Sequence, residues 1–271
     1  MTLTVRAVSL TDLGLRRSNN EDSAHVGPRL LAIADGMGGL PAGELASELA
    51  IRALVEATGA ATTQAAAGAA AADTATAAAG AAGPRPAAWA ATDALIAGFR
   101  AANERIRAAA AEDPAREGMG TTLTALLFAG DRVVLAHVGD SRCYLLRAGT
   151  LTQLTADDTF VQALVDRGVL TPAEARTHPQ RSLVTRAMRG DPVDPAGDTL
   201  DALAGDRFLL CSDGLSDVVP AEDIAETLRS YAEPSTCAAR LVELALAGGG
   251  PDNVTVILAD VVADGGQPVS V

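Results

Sequence analysis

The chain has 271 residues, of which 48% are hydrophobic, and a formal net charge of -13. This length and apolar content suit one domain with a substantial core, and the negative charge argues against nucleic acid as a partner. All 21 basic residues are arginine, which excludes the lysine-dependent chemistries of P-loop nucleotide hydrolases, protein kinases and Schiff-base enzymes.

The first predicted elements are two strands, a helix, an insert and a second helix. The β-branched content predicts strands at 5–10 and 30–34. Apolar residues at four-residue spacing predict a helix over 44–57. Residues 58–88 are almost all Ala, Gly and Thr, broken by two prolines, and predict a mobile insert without a core of its own. A second helix is predicted over about 89–111.

The rest of the chain alternates blocks of strands and helices. Short turns separate a predicted antiparallel meander at 121–129, 132–138, 143–147 and 151–154. Further strands are predicted at 208–211 and 254–258, with helices between them at 221–230 and 235–247. Such blocks indicate stacked, mainly antiparallel sheets covered by helices, an α+β fold.

Between these blocks, residues 156–190 are mostly irregular. A capping box at Thr171 to Glu174, with Pro172 in the first helical position, predicts a short helix there. We predict that this segment forms a flap, and the name is kept below.

The composition also bears on where the protein is found. No apolar run approaches the roughly 18 residues of a membrane helix, and the N-terminal segment, with Arg6 and Asp12, lacks the apolar region of a signal peptide. The three cysteines, Cys143, Cys211 and Cys237, lack the spacing of a zinc site and are predicted to be buried free thiols. We expect a soluble, cytoplasmic protein with no membrane partner.

Four aspartates are predicted at strand ends. Asp35, Asp140 and Asp213 each follow an apolar strand, and Asp252 precedes one. One such residue alone is most often part of a turn, but four can meet where the strands of a sheet pair end. Partly buried carboxylates about 4 Å apart repel each other by several kcal/mol. Hard divalent cations with oxygen ligands, Mg²⁺ or Mn²⁺, are the natural counter-charge, and Gly36 lets a carbonyl approach them.

A charged stretch lies upstream, where residues 16–22 join two arginines to Glu21 and Asp22. The simpler interpretation is a solvated loop. If the stretch lies beside the aspartates, its carboxylates can hold metal-bound waters and an arginine can bind phosphate through two hydrogen bonds. In that case the pattern predicts a two-metal phosphoester hydrolase.

Six short motifs, in order, resemble those of the type 2C phosphatases, the metal-dependent protein phosphatase (PPM) family, in its bacterial branch. They are Arg17 to Asp22, Asp35 to Gly39, Gly118 to Thr122, Gly139 to Arg142, Ser212 to Leu215, and Asp252 to Thr255. The resemblance covers about residues 3–260. It implies a four-layer α/β/β/α sandwich, a single catalytic domain over 1–263 with a tail at 264–271, and hydrolysis of phosphoserine and phosphothreonine in proteins.

The resemblance also implies which residues hold two Mn²⁺ or Mg²⁺ ions. Asp35 bridges both, the Gly36 carbonyl completes the first site, and Asp213 and Asp252 hold the second. Asp140, with Asp213, resembles the pair that holds a weaker third metal.

The remaining roles concern water and substrate. Glu21 and Asp22 act through metal-bound water, and Arg17 binds the substrate phosphate. A water between the two cations then attacks phosphorus directly, without a covalent enzyme intermediate.

Two positions depart from the family pattern. Met37 stands where some relatives have a histidine, so the general acid is unassigned and a metal-bound water is the hypothesis. Asp158 stands where relatives usually have a histidine, which leaves the chemistry of the flap open. His25, His137 and His178 are interpreted as loop and strand residues without identifiable partners.

The expected partners are phosphorylated proteins, namely Ser/Thr kinases and their substrates, in a signalling role. The alternative is a catalytically inert pseudophosphatase or scaffold that binds phosphoproteins. A serine or cysteine hydrolase is disfavoured because the sequence has no Gly-x-Ser-x-Gly elbow. A phosphodiesterase acting on nucleic acid would need a basic track for its substrate.

Overall fold

A computed structural model describes residues 3–37, 42–72 and 87–263, with side chains in the helix that ends at residue 72 described as far as residue 60. Gly38 and Gly39 of the second motif, residues 73–86 of the predicted insert and the predicted tail at 264–271 lie outside the described residues.

Two five-stranded antiparallel sheets form the centre of the molecule. In chain order the strands are β1 (Leu3–Asp12), β2 (Asp22–Val26), β3 (Leu30–Asp35), β4 (Leu123–Ala129), β5 (Arg132–Val138), β6 (Arg142–Arg147), β7 (Thr150–Gln153), β8 (Ala196–Asp201), β9 (Arg207–Cys211) and β10 (Val254–Ala263). The first sheet has the order β1-β10-β9-β6-β7, and the second has the order β2-β3-β4-β5-β8.

Helices cover the outer face of each sheet. In chain order they are α1 (Gly43–Ala72), α2 (Ala87–Glu112), α3 (Phe160–Asp166), α4 (Pro172–Thr177), α5 (Asp213–Ser216), α6 (Ala221–Ser230) and α7 (Pro234–Ala247), with a 3₁₀ turn at Pro114–Arg116. The first two pack on β3, β4 and β5 of the second sheet, and α7 packs on β1 and β10 of the first. The predicted four-layer α/β/β/α sandwich is confirmed.

The inner layer explains why several strands are apolar throughout. Along β3, Leu30 and Ala32 face the helices, whereas Leu31 and Ile33 face the other sheet. Between the sheets, the rings of Phe128 and Phe208 meet edge to face with centroids 5.8 Å apart. Strands buried on both faces lose the alternation of polar and apolar residues that marks a half-exposed strand.

Several elements differ from the sequence prediction. Helix α1 continues to Ala72, so the first part of the predicted insert at 58–88 is helical. Strands β2 and β8 were missed because they are short and polar, and β8 is an edge strand with a mostly exposed face. Helix α3 was missed inside the flap, although Thr159 caps its first turn by accepting a hydrogen bond from the Gln162 amide.

Other predictions are confirmed by the structure. The capping box at Thr171 and Glu174 is formed and starts α4. All three cysteines are buried free thiols. Among the described helices, none combines the length and the apolar character needed to cross a membrane.

The inter-sheet core gives a test of the fold. The Phe208 side chain is fully buried there, so Phe208→Ala should lower the free energy of unfolding by about 3–5 kcal/mol through lost burial and a cavity. Urea denaturation measures the change. Leu203→Ala, at a residue that is 49% exposed, serves as the control. A loss of less than about 1 kcal/mol for Phe208→Ala would contradict this packing.

Candidate metal centre

Five aspartates from distant parts of the chain meet at one end of the sandwich, and we call them the acidic cluster. They are Asp22, Asp35, Asp140, Asp213 and Asp252. Asp22 and Asp35 are paired across β2 and β3. The other three lie close enough to Asp35 to act electrostatically on its carboxylate. The sequence therefore predicted correctly that these strand ends converge.

Backbone contacts fix the end of β3. The Asp35 amide donates to Thr122 Oγ1 at 2.9 Å, and the Asp35 carbonyl accepts from Thr121 Oγ1 at 2.8 Å. At Gly36, a Cβ atom would lie 2.4 Å from the Gly43 carbonyl oxygen and 2.6 Å from that of Glu21. Only glycine fits there, because the backbones of residues 21 and 43 come this close to the end of β3 beside the cluster.

Asn253 joins the loop before β2 to the start of β10. Its Oδ1 accepts from the Glu21 amide at 2.9 Å, and its Nδ2 donates to the carbonyls of Leu13 and Asn19, both at 3.0 Å. The sixth motif contains this residue, but no role for it could be predicted from the sequence. It holds Glu21 and Asp252 in the same corner of the site.

Ser212 holds the second acidic residue of the loop. Its Oγ donates to Asp22 Oδ2 at 2.9 Å and accepts from the Thr255 amide at 3.0 Å. The other oxygen, Asp22 Oδ1, is buried without a hydrogen-bond partner among the described residues, and so is Glu21 Oε2. Buried carboxylate oxygens of this kind call for a cationic or water partner.

Burial and mutual repulsion oppose the ionisation of most carboxylates in the cluster. Burial, and then the charges of neighbouring carboxylates, raise the pKa of Asp35 and of Asp213 well above the usual range. The same causes raise the pKa of Asp22 to about 6 and that of Asp140 to about 7. Asp35 and Asp213 keep some surface toward solvent, so small ions can reach them while protein atoms surround most of each carboxylate.

The donor set fits hard divalent cations, since it offers only oxygen atoms, carries excess negative charge and leaves two buried carboxylate oxygens unpaired. Within the described residues, no group of three or more His, Cys, Asp or Glu side chains already has the arrangement of a metal site. The fit therefore rests on donor type, charge and burial.

Arg17 and Asp252 form an ion pair at the rim of the cluster. Arg17 Nη2 lies 2.6 Å from Asp252 Oδ2, and about a third of each side chain is exposed. The predicted phosphate-binding residue and a predicted metal ligand thus contact each other. The guanidinium is held at the mouth of the cluster and is partly exposed, and it has further N–H groups that can donate to a phosphate.

The structure adds residues around Asp140 that the sequence did not suggest. Asp157 and Asp217 act on its carboxylate, and Asp157 is paired with Arg142 at 2.6 Å. Asp217 also acts on Asp213. Asp217 directly follows α5 and lies two residues after the fifth motif. This position was the one feature of the sequence from which its place near Asp213 could have been predicted.

The histidines are outside the cluster. His137 is buried and its Nδ1 lies 2.7 Å from Thr124 Oγ1, so the prediction that it has no identifiable partner was wrong. The partly exposed His178 accepts from the Gln180 amide. His25 lies at the edge of the second sheet, where burial lowers the pKa of its imidazole.

Comparison with known proteins decides the family. A model of the family described as protein phosphatase 2C matches residues 16–245. The chain belongs to this family. Both the resemblance and the fold inferred from it are therefore confirmed.

Two relatives show how far the similarity extends. The chain is 52% identical over 262 residues to the serine/threonine protein phosphatase PstP of Mycobacterium tuberculosis, covering 97% of this chain but 46% of that protein. It therefore spans about half the length of that phosphatase. It is 34% identical to the protein phosphatase PhpP of Streptococcus pneumoniae, covering 92% of this chain and 94% of PhpP.

A solved structure of the family matches the fold closely. The crystal structure of the catalytic domain of PstP in complex with two manganese ions aligns with a TM-score of 0.80 and 50% identity. The alignment covers 97% of this chain and all of that domain.

The raised carboxylate pKa values predict how pH acts on the stability of the metal-free protein. A carboxyl group whose pKa is higher in the folded state contributes stability at low pH and loses that contribution as pH rises through the raised pKa. For Asp140, the window runs from about 4 to about 7. In chelator, Asp140→Asn should therefore gain about 1–3 kcal/mol over the wild type between pH 5 and pH 8.

Urea denaturation at several pH values in EDTA measures that gain. Asp131→Asn, at an exposed turn residue, is the matched control. An Asp140→Asn advantage that stays constant or shrinks with rising pH would contradict the assigned electrostatics.

Proposed function

We propose that this chain is a metal-dependent phosphatase that hydrolyses phosphoserine and phosphothreonine in proteins. The observation that supports it most directly is the acidic cluster with Arg17 at its mouth, on the fold of the protein phosphatase 2C family. Excess buried negative charge beside an exposed guanidinium is an arrangement for cations and a phosphate ester.

The cofactors we propose are two Mn²⁺ or Mg²⁺ ions and a third ion that binds more weakly. Asp35, Asp213 and Asp252 with the Gly36 carbonyl would hold the first two, and Asp140 with Asp213 the third. When bound, such ions neutralise the cluster and lower the pKa of a coordinated water, which supplies the nucleophile at neutral pH. The two manganese ions of the PstP catalytic domain support this assignment.

The chain's own residues bind and orient the substrate around those ions. Arg17 binds two phosphoryl oxygens and stabilises the charge that develops on them. Thr122 and Asn253 keep Asp35 and Glu21 in place through backbone hydrogen bonds, so little reorganisation is needed during the reaction. Met37 carries no acidic proton, so we propose that water in the site protonates the leaving serine or threonine oxygen.

The partners we propose are phosphorylated Ser/Thr kinases and their substrates, in signalling. The relatives named as serine/threonine phosphatases support a phosphoprotein substrate, and the net charge of -13 argues against a polyanion. A cytoplasmic location remains part of the proposal, and three buried free thiols are consistent with a reducing compartment.

The first test of this function removes the shared carboxylate. Wild-type protein should hydrolyse p-nitrophenyl phosphate and a phosphothreonine peptide with Mn²⁺ and lose this activity in chelator. Asp35→Asn should lower kcat/KM by about a thousandfold or more, because charge on both ions is no longer balanced. Asp198→Asn, at an exposed residue of β8, is the control. Binding of the phosphopeptide without any turnover would support the inert scaffold instead.

A second test concerns Arg17. Arg17→Met should raise KM and lower kcat/KM by about 10- to 100-fold, since a charge-assisted hydrogen bond to phosphate contributes about 1.5–3 kcal/mol. Steady-state kinetics on the phosphothreonine peptide measure this. Arg16→Met changes the exposed neighbour and should leave kcat/KM within about twofold. Equal losses in the two variants would show that general positive charge, and not Arg17, binds the phosphate.

A further inference from the structure

The flap is attached to the domain by a narrow neck. Thr159 pairs with Val184 in an isolated bridge, and the Phe160 amide donates to the Leu183 carbonyl at 2.9 Å. The chain therefore leaves and returns at nearly the same point, with α3 and α4 between. Whatever holds this neck determines where the flap lies.

Asp158 holds the neck through both its backbone and its side chain. Its amide donates to the Gly139 carbonyl at 2.7 Å, and its Oδ2 accepts from the Gly139 amide at 3.0 Å. On the returning side, its carbonyl accepts from the Thr185 amide at 2.7 Å and its Oδ1 accepts from Arg186 Nη1 at 3.0 Å. One residue thus fastens both ends of the flap to the turn that carries Asp140.

The side-chain chemistry of Asp158 suits these contacts. A carboxylate can accept from a backbone amide with one oxygen and from a guanidinium with the other. The histidine that the family resemblance leads one to expect at this position would offer a single acceptor nitrogen when neutral. The Asp158 side chain is only 15% exposed, so solvent screens its ion pair with Arg186 less than at an open surface.

The fastened flap brings positive charge to the acidic cluster. Arg181 Nε lies 3.8 Å from Asp217 Oδ2, and Arg176 is also near enough to act on that carboxylate. Asp217 in turn adjoins Asp140 and Asp213. The flap therefore presents two guanidinium groups on the Asp217 side of the cluster.

We propose that Asp158 is a positioning residue for the phosphatase reaction: it fastens the flap neck to the turn at Gly139 and Asp140, so that Arg176 and Arg181 stay beside the acidic cluster and add positive charge there for binding the phosphopeptide. This inference rests on the proposed function. Asp158 acts through the flap and does not contact the reacting atoms.

The test combines hydrogen exchange with kinetics in Asp158→Asn and in Arg186→Met. Both variants should speed exchange of the Phe160 and Thr185 amides, which close the neck. Both should raise KM for the phosphothreonine peptide by about tenfold, while kcat stays within about twofold because the cluster itself is unchanged. Since the two side chains share the contact between Asp158 Oδ1 and Arg186 Nη1, the double variant should raise KM by less than the product of the two single changes.

The matched control is Asp201→Asn, which removes the partner of Arg132, 2.7 Å away, at the other end of β5. It should change neither exchange at the neck nor KM. Unchanged exchange in Asp158→Asn would overturn the proposed fastening. Faster exchange with an unchanged KM, or a fall in kcat alone, would overturn its role in the reaction.

Two features keep this test decisive. Arg186→Met removes the ion pair with Asp158 by changing the arginine and not the aspartate. It can therefore be used for the same measurements if Asp158→Asn does not fold. Hydrogen exchange can be measured whether or not the protein is active. An inactive wild type would therefore refute the proposed function, and exchange of the Phe160 and Thr185 amides would still show whether Asp158 fastens the neck.

Discussion

Mutual repulsion among buried carboxylates is the constraint on which the active end of this molecule depends. Five aspartates converge where strands of both sheets end, and burial together with neighbouring carboxylates raises the cost of ionising Asp22, Asp35, Asp140 and Asp213. The chain has no lysine to offset the charge, and Arg17 pairs with Asp252 at the rim. Divalent cations are the counter-charge that this set of oxygen donors suits, and under the proposed function a phosphate ester is the anion that such cations and a guanidinium bind together.

The sandwich supplies the rigidity that this repulsion requires. Thr122 just before β4, Ser212 just after β9 and Asn253 just before β10 each hold one part of the cluster by hydrogen bonds to a backbone group or to a carboxylate. The central strands beneath them, β3, β4, β5 and β9, are buried on both faces. Acidic side chains can therefore be kept close together without the strand ends moving apart.

Much of this could be predicted from the sequence, for identifiable reasons. Strands such as β3 and β9 are short apolar runs that end in Asp-Gly, so both the element and its terminal carboxylate were visible. β8 was not, because an exposed edge strand has little apolar content. The pairing of Arg17 with Asp252 and the contacts of Asp158 join residues that are far apart in the chain, and composition or periodicity cannot indicate such contacts.

The same electrostatics argue against an inert binding module. Asp22, Asp35, Asp140 and Asp213 each cost stability when they are ionised without a counter-charge, and an asparagine of the same shape would relieve that cost. A scaffold that only binds phosphoproteins would gain from such replacements, since an oxygen-only cluster of negative charge repels the phosphate that it must recognise. The cluster is advantageous only if cations occupy it, and cations beside Arg17 create the conditions for phosphoester hydrolysis.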